Sequence, residues 1–167
     1  VTCGCGELFI DDFVTSVLFT QQTGGTGIKT ASYPTGNDLG GELDVKHVVT
    51  SSNITGDIVR TVGNNSGMGL YATHGLFSKG TATLIWDGID GNANVINYTG
   101  LGGIDITNGG QRDRINFELN SDFSTNNAVT VTIDIYSNSG NSSRYSQSLY
   151  GSANTWLLQS YELSNFG

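Results

Sequence analysis

The run from Ala128 to Asn138, AVTVTIDIYSN, limits what this chain can fold into more than any other stretch. Val129, Val131, Ile133 and Ile135 fall on one side of a two-residue period, and Thr130, Thr132, Asp134 and Tyr136 on the other. β-Branched residues suit a pleated, half-buried surface, and strict alternation turns one face to a core and the other to water. At helical spacing the same apolar residues would scatter around the cylinder. The run is a strand.

The same signals recur along the chain. Glu7–Phe13 and Val14–Thr20 read as one or two opening strands, followed by a turn region at Gln21–Thr26 and a loop at Thr30–Gly41 carrying Pro34. Glu42–Ser51 alternates, with Leu43, Val45, His47 and Val49 on one face. Ile58–Val62 follows, and Met68–Phe77 is expected to pair with Thr81–Trp86 through a turn at Ser78-Lys79-Gly80. Asp87–Asn94 is a polar loop. Leu101–Thr107 and Arg114–Leu119 are expected as strands flanking Asn108-Gly109-Gly110. Arg144–Tyr150 pairs back on the opening run across Ser139-Gly140-Asn141, and Asn154–Leu163 closes the chain. Roughly ten short strands with turn signals every ~8–12 residues point to an all-β, two-layer antiparallel sandwich. A single domain over residues 7–167 is expected, with residues 1–20 as an N-terminal strand segment open to exchange with a neighbour.

Charge removes several function classes. Lys and Arg number 7 against a net charge of −8, so no basic surface exists for phosphate, and a nucleic-acid partner is not expected. No apolar run reaches the roughly 18 to 20 residues that span a bilayer as a helix. Val1 reads as a processed N-terminus or an artificial boundary, and the low Lys count with abundant Ser, Thr and Asn suits an extracellular protein.

Few residues offer chemistry. Cys3 and Cys5 are the two cysteines, and bonding to another chain, mutual pairing, free thiols and simple burial all stay open. His47 and His74 are the two histidines and no Gly-X-Ser-X-Gly elbow is present, so nucleophilic catalysis is not expected. His47 alternates with apolar residues and reads as a core or edge histidine. Carboxylates that could pair as in glycosidases are Asp11, Asp12, Glu42, Asp44, Asp105, Glu118 and Glu162, with nothing to pick out two of them. Calcium is the favoured small ligand, at Asp87, Asp90, Asn92 and Asn94 in one Gly-rich loop, beside the plainer reading of a turn built from turn-forming residues. Tyr136, with Tyr145 expected across from it, would offer stacking rings to a sugar, while Trp86 and Trp156 read as core plugs. Asn53, Asn64, Asn97 and Asn141 begin Asn-X-Ser/Thr sequences, which chance explains in such a composition.

Ile10-Asp11-Asp12-Phe13, Leu39-Gly40-Gly41-Glu42, Trp86-Asp87-Gly88, Gly102-Gly103-Ile104-Asp105 and the segment Thr155-Trp156 to Phe166 carry a resemblance. With them the chain resembles secreted bacterial proteins, many cyanobacterial, with a sorting signal of the PEP-CTERM type. The resemblance implies a jelly roll similar to galactose-binding and carbohydrate-binding modules. It also implies one further apolar strand after Phe166. A sandwich lacking that strand has an open edge, which a neighbour's strand could fill. Leu8, Ile10, Phe13, Val17 and Phe19 would be the side chains lent. The expectation is a non-catalytic subunit of an extracellular filament, sheath or matrix, a homopolymer. The alternative is a module binding a cell-surface or matrix polysaccharide, with or without structural calcium.

Overall fold

The computed structural model describes residues 8–11, 18–23, 26–35, 38–51, 57–63, 70–73, 79–119, 128–150 and 157–167. Within them lie ten strands: β1 (Leu18–Thr23), β2 (Gly27–Pro34), β3 (Glu42–Ser51), β4 (Asp57–Gly63), β5 (Leu70–Thr73), β6 (Lys79–Ile85), β7 (Arg114–Leu119), β8 (Ala128–Asn138), β9 (Asn141–Tyr150) and β10 (Leu157–Glu162). The only helical turns described are two short 3-10 segments, Leu39–Gly41 and Leu163–Asn165. The protein is all-β, built from small antiparallel sheets. No helix among the described residues is long and apolar enough to cross a membrane.

The chain forms two compact units, divided between Gly102 and Gly103. In the unit beginning at Leu8, the sheets run β1-β4-β5 and β2-β3-β6. Strand β3 is central to the second sheet, and its alternation does what the sequence pattern asks. Leu43, Val45, His47 and Val49 are all buried, with Tyr33, Leu84 and Trp86 packed against Leu43 and Val45. The neighbours follow from register, since Tyr33 lies opposite Leu43, and Leu84 opposite Val45.

Several expected boundaries move. Gln21–Thr23 belongs to β1, because its backbone pairs with β4 where a turn was expected. Residues 27–34 form edge strand β2, with Pro34 at its last position, where a missing N–H costs no ladder bond. β5 pairs with the preceding strand β4 and β6 with the distant β3, so the β5–β6 hairpin expected at Ser78-Lys79-Gly80 does not form. Leu101–Thr107 is a succession of turns. There the Asp105 carboxylate accepts from the Thr107 hydroxyl (2.6 Å) and the backbone N–H groups of Thr107 (2.8 Å) and Gly109 (2.7 Å), so local bonds outcompete a ladder.

In the unit from Gly103, the sheets are β10-β7 and β8-β9. Tyr161 of β10 is its buried anchor: it stacks on Phe117 (5.2 Å, 12°) and meets the edge of Tyr145 (5.2 Å, 68°). Tyr145 also touches Phe166 at 5.7 Å. The outer face of the β8–β9 ribbon is polar, with Thr132 and Ser146 hydroxyls 2.7 Å apart and Arg144 gripping Asp134 through two bonds of 2.6 and 2.9 Å. Cys3, Cys5, Phe13, Val17, His74 and Trp156 lie outside the described residues.

Candidate functional site

Three of the sequence segments that carry the resemblance meet in the first unit. The Ile10 carbonyl accepts from the Leu39 N–H (2.8 Å), and Trp86 Nε1 donates to Asp11 Oδ2 (3.0 Å). Trp86 therefore does more than plug the core: its indole N–H ties down the segment at Ile10-Asp11. Gly40 (φ +79°) lies where a Cβ would stand 2.6 Å from Leu101 Cδ2 and 2.9 Å from the Gly88 nitrogen, so only glycine lets these two turns touch. Gly100 plays the same part against the Asp87 carbonyl.

That close packing brings a loop over one face of β3. Glu42 and Asp44 are two apart on the strand and share the face opposite Leu43 and Val45. The loop after β6 crosses this face and is fastened to it, because Asp90 N and Gly91 N both donate to Glu42 Oε1 (3.0 and 2.8 Å). Glu42, Asp44 and Asp90 each place a carboxylate oxygen within 4.8 Å of the others.

Asp44 is fully buried, and neither of its oxygens makes a hydrogen bond. Ser32 faces it across the β2–β3 pair and favours its charged form, but without a contact that meets ordinary bond geometry. Burial pushes the Asp44 carboxyl above its usual range against the pull of Ser32, and the charges of Glu42, Asp87 and Asp90 raise it further. Burial also raises Asp87, opposed by the Asn97 N–H that its Oδ2 accepts at 2.6 Å, with Asp90 and Glu42 adding to the rise. The ion pairs among the described residues, Arg114–Asp113 and Arg144–Asp134, lie elsewhere.

Three of the four residues expected to gather calcium make local bonds of their own. Asp87 is held by Asn97, Asn92 Oδ1 caps the Asn94 N–H (3.2 Å), and Asn94 Nδ2 donates to Thr30 (3.3 Å). Asp90 alone joins the carboxylate group, in company with Glu42 and Asp44. The two-residue spacing of Glu42 and Asp44 on an alternating strand was visible in sequence; the loop that folds over them was not. Both acids are buried.

The aromatic pair separates. Tyr145 lies opposite Ile133 and packs inward on Tyr161, whereas Tyr136 lies opposite Ser142 on the other face and is 41% exposed. Of the side chains expected to be lent to a neighbour, Leu8 and Ile10 are half-buried in their own unit, and Phe19 lies in β1, which pairs with β4.

Comparison with known protein families, curated proteins and solved structures finds no match to this chain.

Proposed function

We propose that this chain is a non-catalytic, secreted structural subunit of an extracellular filament, sheath or matrix, whose copies join by β-strand addition. In that reading its sheets are parts of a jelly-roll sandwich completed by a strand from a neighbouring copy.

The observation that carries the reading is at β9. Arg144 N donates to the Gly167 carbonyl (3.0 Å) and Gly167 N to the Arg144 carbonyl (3.5 Å), the two-way exchange of an antiparallel pair on the outer edge of β9. Because successive residues point their backbone groups to opposite sides, Ser142, Ser146, Ser148 and Tyr150 aim N–H and C=O at that same edge. Among the described residues only β3 and β4 have strands on both sides, so each of the other strands has a side without a ladder partner there. Long unblunted edges pair with other chains. Apolar side chains wait beside them in the same unit: Tyr150, Leu157 and Leu158 are 64%, 41% and 67% exposed.

Residues Ile10 and Asp11 are bonded to Leu39 and Trp86 of their own unit, and exchange of this segment would remake those bonds between copies. An extracellular setting is supported by the composition and by the resemblance to secreted bacterial proteins. With Tyr145 turned inward, the pair expected to form a sugar-binding platform is reduced to Tyr136.

The test is light scattering with negative-stain imaging of the purified chain and of Ser148→Pro. Proline there removes an outward N–H and leaves the β8–β9 backbone ladder in place, at the loss of the 3.5 Å contact between the Thr130 and Ser148 hydroxyls. Regular particles from the parent chain, and folded monomers from the variant, are expected. A parent chain that stays at 17.6 kDa at high concentration would end the reading.

A further inference from the structure

We propose that Glu42, Asp44 and Asp90 hold a divalent cation of the calcium type. The inference stands apart from the assembly reading, and its outcome is the same for a monomer or a polymer.

Three observations combine. The ligand oxygens of the three carboxylates lie within 4.8 Å of one another, which is the span of opposite ligands around an ion bonded at about 2.4 Å. Asp44 is fully buried and both its oxygens lack a partner, in a strand whose backbone is paired with a neighbour on each side. A buried carboxylate is costly unless it is paired, bonded or on a metal. Among the described residues no ion pair to the group is seen, and Lys46, the next residue along the same face, makes none.

The bonds that are made leave the others free for an ion. Glu42 spends Oε1 on the two loop N–H groups, and Asp90 spends Oδ1 on the Asn92 N–H (2.8 Å). Glu42 Oε2, Asp90 Oδ2 and both oxygens of Asp44 remain, a four-oxygen set to which solvent at exposed Asp90 adds the rest. The donors are all hard oxygens, and His47 lies on the opposite face of β3, which disfavours zinc. A set divided between a strand and a loop, with carboxylates able to bind through one or two oxygens, suits calcium better than the strict octahedron of magnesium. The ion would lock the loop, already hung on Glu42, to the sheet.

The experiment is calorimetric titration of the chelator-treated full chain with calcium chloride, alongside thermal unfolding with and without the ion. One saturable site and a raised melting temperature are expected, with magnesium much weaker. Asp44→Asn is expected to lower calcium affinity by about tenfold or more, because ligand charge count sets affinity. Asp90→Asn, on the exposed loop, should do the same and keeps the test open if the Asp44 variant does not fold. Asp113→Asn, an acid of the other unit that is engaged in its own ion pair, should bind as the parent does. No calcium binding, or affinity equal in parent, Asp44→Asn and Asp90→Asn, would overturn the site.

Discussion

Trp86 Nε1 donates to Asp11 Oδ2 at 3.0 Å, joining residues 75 positions apart. The bond sits where the indole packs on Leu43 and Val45, so one side chain serves the core and the segment that lies over it. Trp86→Phe keeps most of the ring and removes the donor. The expected loss is about 1.5–3 kcal/mol, typical for a hydrogen bond to a charged group. Chemical denaturation of the parent, Trp86→Phe, Asp11→Asn and the double variant checks it; additive single effects would mean the two side chains are not coupled.

Asp44 yields a prediction of opposite sign in two conditions. In chelator, Asp44→Asn removes a buried, unpartnered carboxylate and should leave the protein as stable as the parent or more so, by up to about 1–3 kcal/mol. With calcium present the parent should be the more stable of the two. Melting curves in both buffers decide; a variant less stable in chelator would mean the carboxylate has a protein partner.

Tyr161 poses a simpler case. Its hydroxyl is buried without a partner, while its ring supports Phe117 and Tyr145. Tyr161→Phe should be neutral or stabilising by about 1 kcal/mol, whereas Tyr161→Ala should cost about 3–5 kcal/mol through the cavity it opens. Denaturant midpoints for the two variants separate the roles, and a destabilised Phe variant would reveal a bond to the hydroxyl.

Asp105 governs an acid-dependent contribution. The Thr107 hydroxyl first, then the Gly109 and Thr107 N–H groups, hold its carboxyl below the ordinary 3.8. A group depressed in the folded state favours folding above its unfolded value and loses that contribution as pH falls through the folded one. The stability gap between the parent and Asp105→Ala should therefore be constant at neutral pH and shrink as pH drops through 3.8 and below. A gap that widens in acid would contradict the bonding around this turn.

What could be read from the sequence was what depends on near neighbours. The two-residue period located β3 and β8 and assigned Leu43, Val45, His47 and Val49 to one face, because alternation is a property of the strand itself. The turn at Ser139-Gly140 and the return of β9 were legible for the same reason. The placement of Tyr145 shows the limit. Closing the ribbon at Asn138 and Asn141 without a bulge would put Tyr145 on the face of Tyr136. The structure instead slips by one residue between Tyr136 and Asn138, and a one-residue slip sends a side chain to the other face.

Tertiary structure alone decided the rest. That β6 pairs with β3 and not with β5 depends on contacts distant in sequence, and no local pattern encodes them. The carboxylate group has the same origin: Glu42 and Asp44 are set side by side by the period of β3, but Asp90 reaches them only because Gly40 and Gly100 let the loops approach backbone to backbone. Sequence determined the strongly alternating strands β3 and β8 and the faces of their residues, since those follow from steric preferences within a few residues. The fold determined which faces meet, since that is set by packing across the whole unit.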